Sequence, residues 1–275
     1  MEVREAHPYD WRAIEALTRR TRFTSPALWQ WEAHLTDQGF LVMEIEGRVE
    51  GALLATVDES PVAWVRLAAV GDHLDVGQWM DLSLPPIISH LRTLEVRELA
   101  WMDHGEWAWR SLERRGFQPR AEVITLRKTD HAVPTVDPPP IALRPASDAD
   151  FAAIAAIDRR AFAPAWWRSE DSLRRRAAMA SRFTVAERGD DVIGYAEREL
   201  HPPAAHLNRI AVEPDHQGRN VGAFLLERAL VSMWQRGAET VSLNTQRSNR
   251  RSRRLYESFG FEATGHCVTV WMLQL

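Results

Sequence analysis

The stretch that starts at Val212 combines residue types suited to holding a phosphate group. An apolar run, LNRIAV, ends there, and an apolar run with helical period begins at Val221. Between Gly218 and Gly222, only Arg219 has a bulky side chain. A tight turn from strand to helix directs several backbone N–H groups and the positive end of the helix dipole towards one point. The pattern predicts an anion site, although similar turns often only connect two elements.

Three polar residues of a later segment share one face of a predicted helix. Asn249, Ser252 and Tyr256 are spaced i, i+3 and i+7, which places them on one stripe. Such a stripe is typical either of a core helix whose tyrosine hydroxyl is satisfied or of a helix that presents functional groups to a ligand.

Together the two segments resemble the GNAT superfamily of acyl-CoA-dependent N-acyltransferases. The family motif is Gln/Arg-x-x-Gly-x-Gly/Ala, followed by an asparagine and a tyrosine on the next helix and then by Gly-Phe. Here Gln217 opens the motif and Gly222 closes it. Asn220 stands where the family usually has a glycine, and asparagine tolerates a positive φ. The resemblance covers residues 141–275 and, more weakly, residues 1–128.

The resemblance implies acetyl-CoA as the cosubstrate and assigns its contacts. Main-chain amides of the loop would hold the pyrophosphate of CoA: Gln217, Gly218, Arg219, Asn220, Val221, Gly222 and Ala223. The preceding strand would splay from its neighbour and pair through Ile210, Ala211 and Val212 with the pantetheine arm. An amide near Val212 would stabilise the oxyanion. Asn249 would bond the pantetheine arm, and Ser252 would line the same channel.

The implied activity is N-acetylation of a primary amine by direct attack in a ternary complex. Tyr256 would be the general acid that protonates the departing thiolate. Cys267, the single cysteine, belongs to the last predicted strand, so no covalent acyl intermediate is expected. The alternative function is a non-catalytic acyl-CoA sensor or interaction module.

The sequence offers several candidates for the general base. An amine with a pKa of about 10 must lose a proton before it attacks. Enzymes similar to ribosomal-protein alanine acetyltransferases have a glutamate where this chain has Asn244, which cannot accept a proton. The remaining candidates are Glu197, Glu199, His206, Glu213 and a chain of water molecules.

The acceptor pocket is expected between the first helix-loop-helix and the hairpin loop of the second copy. Trp166 and Trp167 would form an apolar wall beside four carboxylates, Glu170, Asp171, Glu197 and Glu199, and His206 would lie in the hairpin loop that borders the pocket. The carboxylates would form a negative rim that favours an uncharged or cationic amine, small molecule or peptide, over an acidic amino acid. Alternatively, they are surface charges that point away.

The elements that must position these residues occur twice in the chain. The segment from Val3 resembles the segment from Leu143, and LERRGF ending at Phe117 resembles YESFGF ending at Phe261. The elements recur in the same order, α-α-β-β-β-α-β-α-β in the second copy. We therefore predict an α/β (α+β) fold of two tandem GNAT-like domains, each a mixed, mostly antiparallel sheet flanked by helices.

A proline-rich stretch, residues 129–142, predicts a semi-rigid linker. The predicted domains are residues 1–128 and residues 143–275. The first copy is degenerate: Leu112 stands opposite the tyrosine, and Gly105 stands opposite the asparagine. It lacks the loop motif and has two prolines, at positions 85 and 86, inside the expected helix. It is expected to bind no CoA and to serve as scaffold, dimer surface or wall of the acceptor cleft, with most of its tryptophans in the core.

Charge and composition argue against several partners. The chain of 275 residues has 26% charged residues and a formal net charge of −4, so it is not built around a polyanion. Five arginines between Arg247 and Arg254 are better explained by a solvated helix face, or by the 3′-phosphate of CoA, than by nucleic acid. The ten histidines show no metal-ligand spacing, and one cysteine cannot form a thiolate site, so no metal is expected.

The sequence features also predict a cytoplasmic protein. One cysteine allows no intrachain disulfide, which is typical of a reducing compartment. The N-terminal segment is charged from its second residue and has no apolar signal region. No window approaches the about 20 apolar residues that a membrane helix needs. A homodimer is left open.

Overall fold

The computed structural model divides into two compact units. The described residues are 2–25, 31–58, 61–179 and 181–275. The first unit consists of Met1–Ala121 and Val268–Leu275, and the second of Glu122–Cys267.

The first unit is a sheet with helices on both faces. Its strands are β1 (Glu2–Glu5), β2 (Phe23–Ser25), β3 (Phe40–Ile45), β4 (Arg48–Val57), β5 (Val62–Val70) and β6 (Glu98–Asp103). Its helices are α1 (Trp11–Arg20), α2 (Val76–Thr93) and α3 (Trp109–Arg114), with 3-10 turns at Pro8–Asp10 and Trp31–His34. The sheet order is β1-β3-β4-β5-β6, antiparallel except between β5 and β6. One buried cluster lies under α1 and another under α2 and α3.

The second unit repeats this arrangement. Its strands are β7 (Gln118–Lys128), β8 (Ala142–Pro145), β9 (Arg182–Arg188), β10 (Asp191–His201), β11 (Ala204–Val212), β12 (Thr240–Gln246) and β13 (Glu262–Gln274). Its helices are α4 (Phe151–Ala161), α5 (Glu170–Met179), α6 (Val221–Gln235) and α7 (Arg250–Ser258), with 3-10 turns at Asp148–Asp150, Pro164–Trp166 and Pro214–His216. The order is β8-β9-β10-β11-β12-β7, and only β11 and β12 run parallel. The predicted fold class is confirmed, while β8, a four-residue strand, was not predicted.

Two strands change units part-way along their length. Val268–Leu275, the second half of β13, belongs to the first unit and pairs there with β6. The second half of β7 belongs to the second unit and pairs with β12. The predicted boundaries follow the two sequence copies, whereas each compact unit contains a strand from the other copy. Alternation of apolar and polar residues shows that a segment is a strand, but not which sheet it joins.

The proline-rich segment packs on the second unit. Val133 and Val136 lie against the buried cluster under α6 and α7. The backbone N–H of Val136 donates to Glu227 at 3.1 Å, and the ring of His131 stacks on Trp234 with 4.5 Å between centroids. The segment is therefore held along α6 and is not a free tether.

The prolines at positions 85 and 86 do not interrupt α2, which runs through both of them. Each proline removes one backbone donor from the helix. However, the helix buries several large apolar side chains in the core of the first unit, and burial of each contributes about 1.5–3 kcal/mol. These are Trp79, Met80, Leu84, Ile87 and Leu91.

One partly buried ion cluster occurs at the start of the first helix in both units. Arg4 donates to both carboxylate oxygens of Asp10, at 2.8 and 2.9 Å, and to Glu44 at 3.0 Å. Asp10 also accepts the backbone N–H of His7. The same positions of the second unit are Arg144, Asp150, Glu187 and Ser147. The repeat of this cluster indicates a requirement of the fold itself.

We expect Asp150→Asn to lower the free energy of unfolding by about 1.5–3 kcal/mol at neutral pH, because it removes charge-assisted hydrogen bonds. Hydrogen bonds from Arg144 hold the pKa of Asp150 well below its ordinary value. The stabilisation is therefore present above the ordinary carboxyl pKa of about 4 and is lost as the pH falls through the lowered pKa. Urea unfolding from pH 7 to pH 2 measures both effects. Asp148→Asn is the control, since Asp148 is 96% exposed; an equal cost for both variants would contradict the prediction.

Candidate active site

Strand β11 separates from its parallel neighbour β12 half-way along its length. In the part of the chain that the structure describes, the last pair joins Leu207 to Leu243. The next residue, Asn208, has no partner in β10 and forms a bulge. A bulge bends its strand and increases its twist. The backbone from Asn208 to Val212, which includes the predicted pantetheine contacts, therefore leaves β12 and presents a free edge.

The loop after β11 is braced by the side chain of Gln217. Its Nε2 atom donates to the carbonyl of Val212 at 2.9 Å. Its Oε1 atom accepts from Nη1 of Arg251 at 2.5 Å. Gln217 therefore links the end of β11 to α7, and its own N–H donates to Pro214 at 3.2 Å. The other predicted loop amides, rather than that of Gln217, are the ones available to an anion.

Two residues of the loop have left-handed backbone conformations that turn its amides towards the start of α6. Gly218 has φ +80° and Asn220 has φ 61°, as predicted for an asparagine at the position of a glycine. Phe224 donates the first helical hydrogen bond, to the carbonyl of Asn220 at 2.9 Å. The amides of Val221, Gly222 and Ala223 are thus the N-terminal donors that the helix itself cannot use.

Helix α7 presents the predicted polar stripe beside this loop. Asn249 is its N-cap, with Oδ1 accepting the N–H of Ser252 at 3.1 Å, so the amide nitrogen is the group that can donate to a ligand. Tyr256 is 8% exposed and packs on Phe261 with 5.9 Å between ring centroids. Burial raises the pKa of Tyr256 to about 12, and the charge of Arg209 opposes this shift. The phenol is therefore protonated at neutral pH, as a general acid must be.

The predicted acceptor residues Trp166 and Trp167 lie on a short turn after α4. The carbonyl of Trp166 accepts from Arg209 of β11 at 2.5 Å. The indole N–H of Trp167 donates to the carbonyl of Phe162 at 2.8 Å. Both tryptophans are half-buried. The turn is therefore tied to β11, the strand with the free edge.

Glu197 is not a rim residue, because it is completely buried. One carboxylate oxygen accepts from Arg176 at 2.5 Å and from Ser181 at 2.9 Å, and the other pairs with Arg168. Burial raises the pKa of Glu197, but Arg168 and Arg176 outweigh it and hold the pKa below its ordinary value. The predicted negative charge is thus compensated inside the unit.

Glu199 and His206 face each other across β10 and β11. Glu199 accepts from Arg176 at 3.2 Å and from Asn208 at 3.0 Å. Nδ1 of His206 lies 2.8 Å from Oγ of Ser242. Burial lowers the pKa of His206, with the charge of Glu199 opposing it, so the imidazole is neutral at neutral pH.

The two remaining polar candidates have other partners. Glu213 accepts both Nε and Nη2 of Arg160, the former at 2.9 Å. Asn244 accepts the hydroxyl of Thr125 at 2.9 Å. Within the described residues, no group of three or more histidine, cysteine, aspartate or glutamate side chains could hold a metal ion. The same residues include no helix long and apolar enough to cross a membrane.

The first unit has the same bulge, but among its described residues the corresponding edge is covered. Arg66 is the extra residue of β5, and the last pair of β5 with β6 joins Trp64 to Ala100. Beyond that pair, β2 lies against β5 from Ala68 to Val70. The chain itself thus occupies the edge that β11 leaves free.

Aromatic side chains fill the rest of that cleft. Phe23 of β2 lies 5.9 Å from Trp107, and the indole of Trp101 donates to Ser25 at 3.4 Å. Trp79 and Trp101 are fully buried. Two other tryptophans of this unit, Trp11 and Trp109, are exposed, and Trp29 lies outside the described residues. In the second unit the segment equivalent to β2 contains Pro164, which cannot donate to a ladder, and forms a turn instead.

The model of the acetyltransferase (GNAT) family matches residues 151–261. The second repeat belongs to this family. A tandem GNAT protein from the clavulanic acid biosynthesis pathway superposes with a TM-score of 0.70 at 15% identity, over 99% of this chain and 98% of that one. That likeness gives the whole chain a tandem GNAT fold.

Two curated relatives are similar in sequence. Mycothiol acetyltransferase of Acidimicrobium ferrooxidans is 30% identical over 206 residues, which are 66% of this chain and 65% of the relative. The ribosomal protein bS18 alanine N-acetyltransferase of Salmonella typhimurium is 40% identical over 76 residues, 27% of this chain and 51% of the relative. The chain therefore spans less than two thirds of either relative.

Sequence reasoning missed the charged residues around the candidate site. Arg209, Asp158 and Arg168 give no sequence signal, because isolated charges within a strand, a helix and a loop have no characteristic spacing. Alignment of the two repeats contains the missing signal, since Arg209 replaces an apolar residue of the first copy, Leu67.

We expect Asn220→Val to lower the free energy of unfolding by about 1–3 kcal/mol, because a β-branched side chain is strained at a positive φ. Asn220→Gly, which restores the residue common in GNAT loops, should leave stability within about 0.5 kcal/mol of the parent. Urea unfolding of the three proteins tests this. Equal stability of the valine and glycine variants would show that the loop does not hold the left-handed conformation.

Proposed function

We propose that the protein is an acetyl-CoA-dependent N-acetyltransferase with one active site, in the second repeat. The observation that carries the proposal is the free edge of β11, which leads directly into unused amides at the start of α6 and lies beside Tyr256 of α7. The GNAT family match and the acetyltransferase relatives support the same reaction class.

In this proposal acetyl-CoA would follow one continuous path from the loop to the edge of β11. The amides from Gly218 to Ala223 would hold the pyrophosphate, and the edge from Ile210 to Val212 would pair with the pantetheine arm. Asn249 would donate its amide to the same arm, with Ser252 next to it. The thioester would then lie where β11 and β12 diverge.

In this reaction the amine nitrogen attacks the thioester carbonyl, and the carbon–sulfur bond breaks as the amide forms. Tyr256 gives its phenolic proton to the departing thiolate. An amide near Val212 stabilises the oxyanion.

His206 is the general base that the contacts favour. Both oxygens of Glu197 are engaged by buried arginines, and Glu213 is paired with Arg160. His206 is neutral, its Nδ1 is fixed by Ser242, and it lies next to the bulge where β11 and β12 diverge. Nε2 would take the proton of the acceptor amine.

The proposed acceptor is a primary amine of a small molecule or peptide. The half-buried Trp166 and Trp167 would supply one wall of its pocket. The carboxylates of Glu197 and Glu199 are already paired with arginines, so they give no reason to prefer a cationic acceptor. We therefore infer a primary amine from the proposed N-acetyltransferase reaction, and not from the charges that line the pocket.

Tyr256→Phe should lower kcat by about 10²-fold or more, the usual scale for a positioned acid, with little change in the affinity for acetyl-CoA. Thiol release from acetyl-CoA, measured over a panel of amines, gives the rate, and calorimetry gives the affinity. An unchanged kcat would remove Tyr256 from the mechanism. Tight CoA binding without turnover on any amine would favour the alternative function, a non-catalytic sensor.

His206→Gln should lower kcat by about 10²-fold and change the pH profile. In the parent enzyme kcat/KM should fall as the pH drops through the pKa of His206, which lies below the ordinary value of about 6.5, because the protonated imidazole cannot act as a base. The variant should lose this acidic limb. A variant that keeps the limb would assign the base to another group.

Calorimetric titration with CoA should give one site per chain, since β2 occupies the corresponding edge of the first unit. Substitution of Gly222 by valine should abolish this heat, because a Cβ there already touches Val212 and Leu255, at 3.7 and 3.8 Å, and the two further methyl groups would displace the start of α6 from β11 and α7. Two sites per chain, or one that persists in the variant, would contradict the assignment to the second repeat.

A further inference from the structure

The second unit contains a buried ion cluster centred on Arg209, the residue that follows the bulge of β11. Arg209 is 10% exposed in its side chain, and its Nε lies 2.7 Å from the carboxylate of Asp158. Asp158 is fully buried and also accepts the hydroxyl of Tyr195 at 2.5 Å. We call Arg209, Asp158 and Tyr195 the Arg209 cluster.

The Arg209 cluster holds the turn from Phe162 to Arg168. The guanidinium carbon of Arg209 lies 3.8 Å from the centroid of the Phe162 ring, and Arg209 donates to the carbonyl of Trp166. Asp158 accepts the backbone N–H of Arg168 at 3.0 Å. The start and the middle of the turn are thus held by Arg209 of β11, and its end is held by Asp158 of α4.

The first unit has no counterpart of this cluster. Both sheets have the same register around the bulge, so Leu67 stands where β11 has Arg209, and Ala52 stands where β10 has Tyr195. Both residues are fully buried in an apolar core. Thr18 occupies the position of Asp158 in the repeated helix. The fold therefore forms at this place with apolar residues.

This difference separates the Arg209 cluster from the ion cluster at the first helix, which both units keep. A buried ion pair pays a desolvation penalty, and apolar residues of similar volume often give equal or higher stability. Stability of the fold therefore does not explain why three polar groups are buried around Arg209. What the three groups do together is hold the turn from Phe162 to Arg168 in place beside the free edge of β11.

We propose that Arg209 is a positioning residue that fixes the turn from Phe162 to Arg168 to β11, so that Trp166 and Trp167 keep a set distance from the bound acyl group. That Arg209 holds the turn in place does not depend on whether the protein catalyses a reaction. The effect on amine recognition rests on the function proposed above.

Hydrogen–deuterium exchange of the ligand-free protein tests the first effect. In Arg209→Leu, the amides of Trp166 and Trp167 should exchange at least about 10-fold faster. Their own acceptors, the carbonyls of Ala163 and Pro164, are untouched by the substitution, so faster exchange reports motion of the turn. Exchange at the parent rate would overturn the proposal.

A second variant keeps the test sound if an unpaired Asp158 prevents folding. Asp158→Thr/Tyr195→Phe/Arg209→Leu removes both charges and copies the first unit at two positions. It should fold and show the same fast exchange at Trp166 and Trp167. Slow exchange at those amides in a folded triple variant would overturn the proposal.

Arg144→Leu is the matched control. It also removes an arginine that pairs with an aspartate, in this case Asp150 at the N-terminus of α4. It should leave exchange at Trp166 and Trp167 unchanged. A rise equal to that of Arg209→Leu would mean that any loss of stability loosens the turn, and would overturn the specific role of Arg209.

Steady-state kinetics test the second effect. Arg209→Leu should raise KM for the amine at least about 10-fold and change the Kd of acetyl-CoA less than about 3-fold. A weaker affinity for acetyl-CoA with an unchanged amine KM would place Arg209 in the donor site and overturn the proposal. If the parent protein acetylates no amine, the proposed function fails, while the exchange result still decides whether Arg209 holds the turn.

Discussion

The site depends on one local constraint, the single extra residue in β11. Asn208 interrupts the ladder with β10 at the point where β11 pairs for the last time with β12. A bulge bends and twists its strand, so the rest of β11 turns away from β12 and a wedge opens between the two strands. The loop amides, the stripe of α7 and the turn with Trp166 all border this wedge. Each would be an ordinary surface feature if β11 continued straight.

The two repeats show which parts of the architecture serve the fold and which serve the site. Both keep the bulge, the parallel pair and the ion cluster at the first helix. They differ in what occupies the wedge: β2 and aromatic side chains in one unit, a free edge bordered by paired charges in the other. Trp79, Trp101 and Trp107 of the first repeat thus fill this cleft, which agrees with the absence from that repeat of the Gln217–Gly222 motif and of a tyrosine opposite Tyr256.

The sequence predicted the repeated fold, the left-handed Asn220 and the polar stripe of α7, because each depends on residues close in the chain. It did not predict the partners of Glu197, which come from α5 and from the two loops before and after it, because an isolated carboxylate in a strand carries no sign of distant partners. Nor did it predict the exchange of β7 and β13, since both strands alternate correctly for either sheet. The missed β8 is four residues long and adjoins the proline-rich segment, where strand patterns are weakest.

The exchange of strands also fixes an order of events during synthesis. The first unit contains Val268–Leu275, so its sheet lacks the strand next to β6 until the ribosome has made the whole of the second unit. During that interval β6 has unpaired backbone groups along one side, an edge of the kind that recruits foreign strands. Nascent chains should therefore need protection from aggregation through β6 over this period. A chain truncated ahead of Val268 would leave this edge of β6 permanently unpaired. The N-terminal half, although made first, is the last to be complete.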